Sequence, residues 1–510
     1  MLNVLGILGK GQSFGERTQD NALLSSGANL PLKDLTLETP PPPEITVNPS
    51  FAVPGQSPSL TVANEARARA GGTTGKKTRV MLCGTYPVGQ SNGYSRVVYY
   101  ISKYLGLKED IQLTIYGFQN FRQTTSSQRS DIPPSVILHD AMATENPKRS
   151  GFGDKEIADF LKKNPQDVVI IFNDMVITSA LVKDITDKLT PEERKQFKLI
   201  SYMDQVYPYQ KKEAIEMLNA HFDGVITFTP YWRKVVRELG LKESIPTYYF
   251  PHGFDSTLYF PIPKKLCRIY YDLPQDGFII LNLNRNQPRK RWDHTMMALA
   301  DVVERHQNLI KANPTKKHKP IRLMIATALN GFWDLVDIFE TELRKRKISS
   351  EVGKEYLATI AKPQQLSDRD INIMYNACDI GLNTCEGEGF GLCQFEHLAV
   401  GCPQVAPNIG GFKEYLHKDN SIMVEPRWFY YVDKVRDGIG GYAEVSDPKE
   451  IADAIWKYYT TPKLLINHGY TGRKEILQHY PWETMVNILY SIIGEVTGTD
   501  TKESSNATVR

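Results

Sequence analysis

The chain has 510 residues, too many for one compact core, and a usual domain size of about 150 residues predicts two or three units. Hydrophobic residues at 41% and charged residues at 23% let most of the chain bury a core. Subtracting 58 acidic from 61 basic residues leaves only +3, so a nucleic-acid partner is not expected.

Residues 1–75 are rich in Pro, Gly, Ser, Ala and Thr, include PPPPEITVNP at Pro40 to Pro49, and keep no period of 2 or 3.6. That composition predicts a flexible or extended arm. A peripheral membrane contact, a protein-binding arm and a passive tether all fit it. Five basic residues (Lys10, Arg17, Lys33, Arg67, Arg69) against six acidic ones argue against a basic nucleic-acid arm. GGTTGKKT, Gly71 to Thr78, is not a phosphate loop: Ala70 stands where the first glycine is needed, and Lys77 where Ser or Thr is. The opening MLNVLGILGKG is short and lacks the basic start of a secretory signal, and no apolar run reaches the ~18 residues of a membrane span.

From Thr78 short apolar runs alternate with amphipathic segments. RVMLCG, QLTIYGF, SVILHD, DVVIIFND, KLISYMDQ and DGVITFT read as strands, and GTYPVGQSNGYSRVV as a glycine-containing turn entering a helix. The alternation predicts a parallel sheet covered on both faces, with ligands gathering beyond the strand C-termini, where Gly89, Gly93, Asp174 and Asp204 fall. Ile245 to Pro263 is a proline- and aromatic-rich crossing. A second sheet begins with FIILNLNRNQPRKRWDHTMMALADVV, in which four cations (Arg285, Arg289, Lys290, Arg291) lie within seven residues. Taken alone that is a solvated turn; at a strand end it becomes a phosphate-neutralising loop.

IRLMIAT and YLATI continue the pattern. DRDINIMYNACD reads as a helix opened by the Asp368-x-Asp370 triplet, which capping by Ser367 or Asp368 and macrodipole matching explain without a metal. From Gly381 to Leu416, GLNTCEGEGFGLCQFEHLAVGCPQVAPNIGGFKEYL, a buried strand end leads into a glycine-rich turn and a helix from about Leu392 to Val400. Glu388 lies in the turn and Glu396 in the opening turns of the helix. The segment Gly389, Phe390, Gly391, Leu392 brings backbone N–H groups to a helix start suited to phosphate. IMVEP reads as the last strand, followed by helices at Pro448 to Tyr459, Pro462 to Gln478 and Trp482 to Val496 and a polar tail whose Asn506-Ala507-Thr508 sequon is expected to be unused. Six cysteines (Cys83, Cys267, Cys378, Cys385, Cys393, Cys402) include no C-x2-C pair. Buried thiols in a reducing, cytoplasmic compartment are expected, with neither zinc nor a disulfide framework.

Glu388 and Glu396, followed by Gly401, Pro403, Gly410-Gly411 and Glu414, resemble the Glu-x7-Glu signature of retaining glycosyltransferases of the GT-B fold, in particular glycosyltransferase family four (glycosyl transferases group 1). The resemblance runs over roughly 77–496. It implies two Rossmann-like doubly wound α/β domains, 76–252 on the acceptor side and 253–480 for a nucleotide-sugar donor, behind an N-terminal extension (1–75). A closing helix, 481–497, would cross back to the first domain before the tail, 498–510. Pro251, Gly253 and Asp255 match the family's interdomain Pro-x-Gly-x-Asp segment, within which His252 reads as a hinge or packing residue.

By the same resemblance, Arg285 and Lys290 neutralise the donor diphosphate, Glu388 lies by the donor sugar, Glu396 binds the ribose, and Gly93 forms the first-domain tight turn. The implied reaction moves a sugar from a UDP- or GDP-linked donor to a hydroxyl of a glycan, lipid or protein-linked sugar, with retention and without a metal or other cofactor. One departure stands out: many relatives carry a histidine after the strand KLISYM, where this chain has Asp204-Gln205. That substitution and the long arm keep a second reading open, a non-catalytic scaffold that binds sugar nucleotides or glycans; a phosphorylase or sugar-nucleotide epimerase of similar two-domain build is a third.

Overall fold

A computed structural model describes residues 77–89, 92–121, 129, 131–360, 366–433 and 440–499. The arm 1–75 and the Asn506 sequon lie outside them. Two parallel sheets form the two lobes. The first contains β1 (Thr78–Thr85), β2 (Ile111–Phe118), β3 (Ile137–Asp140), β4 (Val168–Asn173), β5 (Lys198–Met203), β6 (Gly224–Thr227) and β7 (Thr247–Tyr249), in the order β3-β2-β1-β4-β5-β6-β7. The second contains β8 (Phe278–Asn282), β9 (Ile321–Ile325), β10 (Leu357–Thr359), β11 (Ile380–Leu382), β12 (Gln404–Pro407) and β13 (Ser421–Val424), in the order β10-β9-β8-β11-β12-β13. Inner strands such as Val168–Asn173 and Phe278–Asn282 are buried at every residue, because helices cover both sheet faces and leave no face for a polar alternation.

The strand orders fix where chemistry collects. Chain direction across each sheet reverses beside its first strand, between β1 and β4 in one lobe and between β8 and β11 in the other. Loops leaving these strands diverge there and open a crevice at the C-terminal strand ends. The cation-bearing loop follows β8 and the glycine-rich turn follows β11, so both are delivered to the same end of the second sheet.

Among the contacts that join the lobes are the crossing segment and the closing helix. Phe254 N–H donates to the Tyr480 carbonyl (2.7 Å) in the crossing segment. Trp482, at the start of the Trp482–Thr497 helix, stacks on Tyr100 of the Gly93–Leu105 helix at 4.8 Å, and Tyr490 donates to Asp110 (2.6 Å). IMVEP is not the last strand: β14 (Pro426–Val432) and β15 (Gly441–Ser446) form an antiparallel ribbon after β13. Its first strand, PRWFYYV, lacks the apolar-polar alternation by which a half-buried strand is read from sequence.

Candidate functional site

At the end of β8, Asn282 turns inward to hydrogen-bond Asn284 (2.8 Å), and a one-turn 3-10 helix at Pro288–Lys290 aims the next two cations into the molecule. Lys290, only 7% exposed, donates to Glu388, itself 7% exposed. Arg289 lies 3.6 Å from the same carboxylate and donates to the Gly387 carbonyl at 2.9 Å. Burial opposes ionisation of Glu388, but the two cations outweigh it and hold the carboxyl below its ordinary range. Arg285 does not join them. The turn that buries the asparagines leaves its side chain exposed, with no ion pair or side-chain hydrogen bond among the described residues, and Arg289 is the cation beside Lys290 at Glu388.

The glycine-rich turn is shaped by what it touches. Gly391 has φ 86° and caps the Leu392–Ala399 helix, a backbone state that suits glycine. A Cβ on Gly389 would collide with Asp204 Oδ1, so the backbone passes directly beneath a carboxylate of the other lobe. Gly411 N–H donates to the Glu388 carbonyl (3.0 Å), and Trp232 Nε1 donates to the Gly389 carbonyl (2.8 Å). Phe390 packs 4.6 Å from the His252 ring, which is buried in an aromatic cage with Phe228. Without a charged neighbour there, desolvation lowers the His252 pKa to about 3 and keeps it neutral.

From the first lobe, the Gly93–Leu105 helix is capped by Asn92, whose side chain accepts from Ser95 N (2.9 Å). Gly93 lies against Leu392, at 3.1 Å from a Cβ built on it, whereas Gly89 faces open space. Tyr94 donates to Asp204. Desolvation pushes the Asp204 carboxyl up to about 6; the Tyr94 hydrogen bond and Arg289 pull down, while Asp174 and Glu388 push further up. Asp174 caps the Met175–Lys188 helix, accepting from Val176 N at 2.9 Å and Ile177 N at 3.0 Å. Thus Asp204, Gly389, Glu388, Lys290 and Arg289 form one cluster across the lobes.

Glu396 belongs to a different cluster. Arg96, one turn into the first-lobe helix, pairs with it, and Tyr375 donates to its other oxygen (3.0 Å). Arg96 also reaches Asp368 (3.1 Å), which Arg129 approaches at 3.4 Å and Tyr259 at 3.2 Å. Burial raises the Glu396 pKa against the pull of Arg96. Both carboxylate oxygens are therefore engaged by protein in this structure, where the resemblance implies ribose hydroxyls. Asp368 is an ion-pair partner, and Ser367 and Asp370 form the capping box of the Asp368–Ala377 helix.

Arg96, Tyr94 and Glu386 had no role assigned from sequence, and Arg289 stood only among the cations of the β8 loop. Arg96 had a signal: it is a lone cation in the run SRVVYYI at a helix start beside a glycine turn. Glu386, fully buried, accepts from Arg291 (3.2 Å) and Tyr430 (2.5 Å). Its partner Tyr430 is on the ribbon and 44 residues away, so nothing local announces the contact.

Residues 268–475 match the family model described as glycosyl transferases group 1. The alpha-1,3/1,6-mannosyltransferase ALG2 of Mus musculus is 22% identical over 277 residues, 53% of this chain and 58% of that protein. A D-inositol 3-phosphate glycosyltransferase of Stackebrandtia nassauensis is 24% identical over 237 residues, 46% of this chain and 50% of that protein. The chain thus spans about half the length of the curated relatives it matches.

Among solved structures, sucrose-phosphate synthase from Thermosynechococcus elongatus superposes with a TM-score of 0.60 at 14% identity, over 83% of this chain and 100% of that one. Anabaena HepE in complex with UDP gives 0.56 at 15% identity, over 82% and 100%. At such identities the structural likeness is one of fold.

Proposed function

Because residues 268–475 belong to the glycosyl transferases group 1 family, within a two-lobed GT-B fold, we propose that this chain transfers a sugar from a nucleoside diphosphate donor to an acceptor hydroxyl, with retention at the anomeric carbon. The observation that carries the reading is the convergence of Lys290 and Arg289 on Glu388 at the C-terminal ends of β8 and β11, with Asp204 facing them from the other lobe.

The chemistry needs charge handled at two places. As the bond from the anomeric carbon to the diphosphate oxygen breaks, negative charge grows on the leaving group and positive character on the ring. Lys290 and Arg289 exchange the Glu388 carboxylate for the diphosphate. A cation about 4 Å from a phosphate is worth on the order of 4 kcal/mol at an effective dielectric near 20, before desolvation. Glu388, released from its cations, balances the ring. The acceptor oxygen bonds the anomeric carbon on the face the diphosphate leaves, and its proton passes to the departing phosphate oxygen. Asp204, when ionised, accepts a hydrogen bond from a hydroxyl on the sugar or acceptor. With two side-chain cations supplying the neutralisation, the proposed reaction is metal-independent. The free cysteines, five of the six buried, fit a reducing cytoplasmic setting.

Transfer and hydrolysis of UDP- and GDP-linked hexoses by the wild type and by Lys290→Ala and Glu388→Gln test the reading. Equal rates in all three would remove it. Donor binding by the wild type without turnover on any acceptor would favour the scaffold reading, which draws its support from Arg96 holding Glu396.

A further inference from the structure

We propose that the outward face of the β14–β15 ribbon, together with Tyr209, is the docking platform for the acceptor, and that this acceptor is a neutral oligosaccharide; the proposal rests on the transfer reading above. The ribbon pairs Tyr431 with Tyr442 and Phe429 with Glu444. The opposite face is anchored at one end, with Val432 and Ala443 buried against Tyr207 and Val445 buried too, although Trp428 and Tyr430 on that face are 52% and 37% exposed. The face that alternation sends to solvent is aromatic, with Phe429 60%, Tyr431 46% and Tyr442 42% exposed. An antiparallel face in water is normally polar. Two strands have no core of their own to gain from these rings.

The rings form a continuous ridge that crosses the lobe boundary. Tyr431 and Tyr442 meet edge to face at 5.6 Å, and Tyr209 of the first lobe, 54% exposed, meets Tyr442 in the same way at 5.5 Å. The ridge is tied to the site on its hidden side. Tyr430 donates to the Glu386 carboxylate (2.5 Å), Glu444 N–H donates to the Glu386 carbonyl (3.0 Å), and Tyr442 N–H donates to the Pro208 carbonyl (2.9 Å). Glu386 is two residues before Glu388, so the platform begins at the outer rim of the turn that holds the donor.

The chemistry of the ridge selects the occupant. A sugar ring offers an apolar C–H face and a rim of hydroxyls, which match a phenol's flat face and polar tip. An anionic surface would call for a cluster of free cations, yet Arg427 pairs with Glu450 and Lys211 with Asp433 (3.1 Å), and Lys413, near Glu444, lies over the Tyr231 ring at 4.6 Å. Glu444 on the same face adds an acceptor for hydroxyls and would repel anions.

The test measures binding of maltotriose, mannotriose and triacetylchitotriose to the full chain by saturation-transfer NMR, using the wild type, Tyr431→Ala/Tyr442→Ala, Tyr431→Phe/Tyr442→Phe and Tyr209→Ala. At least one trisaccharide should bind the wild type. The double alanine variant should weaken it about tenfold or more, the phenylalanine variant should stay within about threefold, and Tyr209→Ala should fall between. Thermal stabilisation by UDP or GDP should be the same in all four. No binding of any trisaccharide to the wild type overturns the proposal, as does equal binding by the alanine variant. So does loss of co-sedimentation with phosphatidylserine/phosphatidylcholine vesicles, and not of sugar binding, in the alanine variants. If neither UDP nor GDP stabilises the wild type, the transfer reading fails separately, and the trisaccharide results still decide the platform.

Discussion

Glu388 and Glu396 flank one turn, eight residues apart, yet they are held in opposite ways. Glu388 is neutralised within its own lobe by Lys290 and Arg289, whereas Glu396 is neutralised across the lobes by Arg96. The cations on Glu388 can trade a carboxylate for a phosphate while the lobes stay where they are. On the proposed reading, releasing Glu396 to a ribose breaks its pair with Arg96 of the first lobe. On that reading one carboxylate exchanges its partners and the other is a latch between the lobes. Arg96→Met tests the latch most severely, since removing one member of a buried pair typically costs about 3–5 kcal/mol. Its urea midpoint should fall accordingly, and Arg96→Met/Glu396→Gln should recover part of the loss. If the double variant is no better than the single, the pair is not coupled.

On the exchange side, Lys290→Ala should lower turnover by roughly 10² to 10³, the usual cost of losing one preorganised charge stabiliser. Stability should change less than in Arg96→Met, because Arg289 remains beside Glu388. A Lys290→Ala protein with wild-type turnover and reduced stability would make this cluster structural and erase the contrast.

The contrast was half visible in the sequence. The sheets, the turn and the spacing of the two glutamates are local patterns, and apolar runs and glycines disclose them. Partners of a buried carboxylate are not local. Arg96 meets Glu396 across 300 positions, and Tyr430 meets Glu386 across 44. Arg285 shows the converse limit: spacing alone points to it, but the 3-10 turn at Pro288–Lys290 decides which cations face inward. The ribbon escaped for a third reason. Its strand is aromatic on both faces, so no period marks it.

Titration sharpens the comparison further, because Asp204 and Glu388 shift in opposite directions. Burial raises the Asp204 pKa to about 6, so the folded protein binds this proton more tightly than the unfolded chain does near 3.9. Its contribution to stability is complete below about pH 4 and lost as pH rises through about 6. Glu388 is lowered instead, so its contribution is present above about pH 4.3 and lost as pH falls through its folded value. On the proposed reading turnover uses the ionised Asp204 and should rise through pH about 6. Asp204→Asn should abolish that limb and reduce the plateau about tenfold, a typical charge-assisted hydrogen bond. Tyr94→Phe, which removes a hydrogen bond that lowers the Asp204 pKa, should move the limb upward. An unchanged limb in Asp204→Asn would assign it to another group.

The smallest expected effect discriminates most finely between spacing and geometry. Arg285 matches the family's spacing to Lys290, but its side chain is exposed, while Arg289 is aimed at Glu388. If the diphosphate is gripped where the cations now converge, Arg289→Ala should cost about tenfold or more in turnover and Arg285→Ala less than about threefold, as for an exposed charge. Raising the salt should shrink the Arg285 effect and leave the Arg289 effect in place, because buried charges are screened far less. The reverse ranking would mean that the β8 loop rearranges when the donor enters, swinging Arg285 inward and Arg289 out, so that the exchange at Glu388 moves backbone as well as side chains.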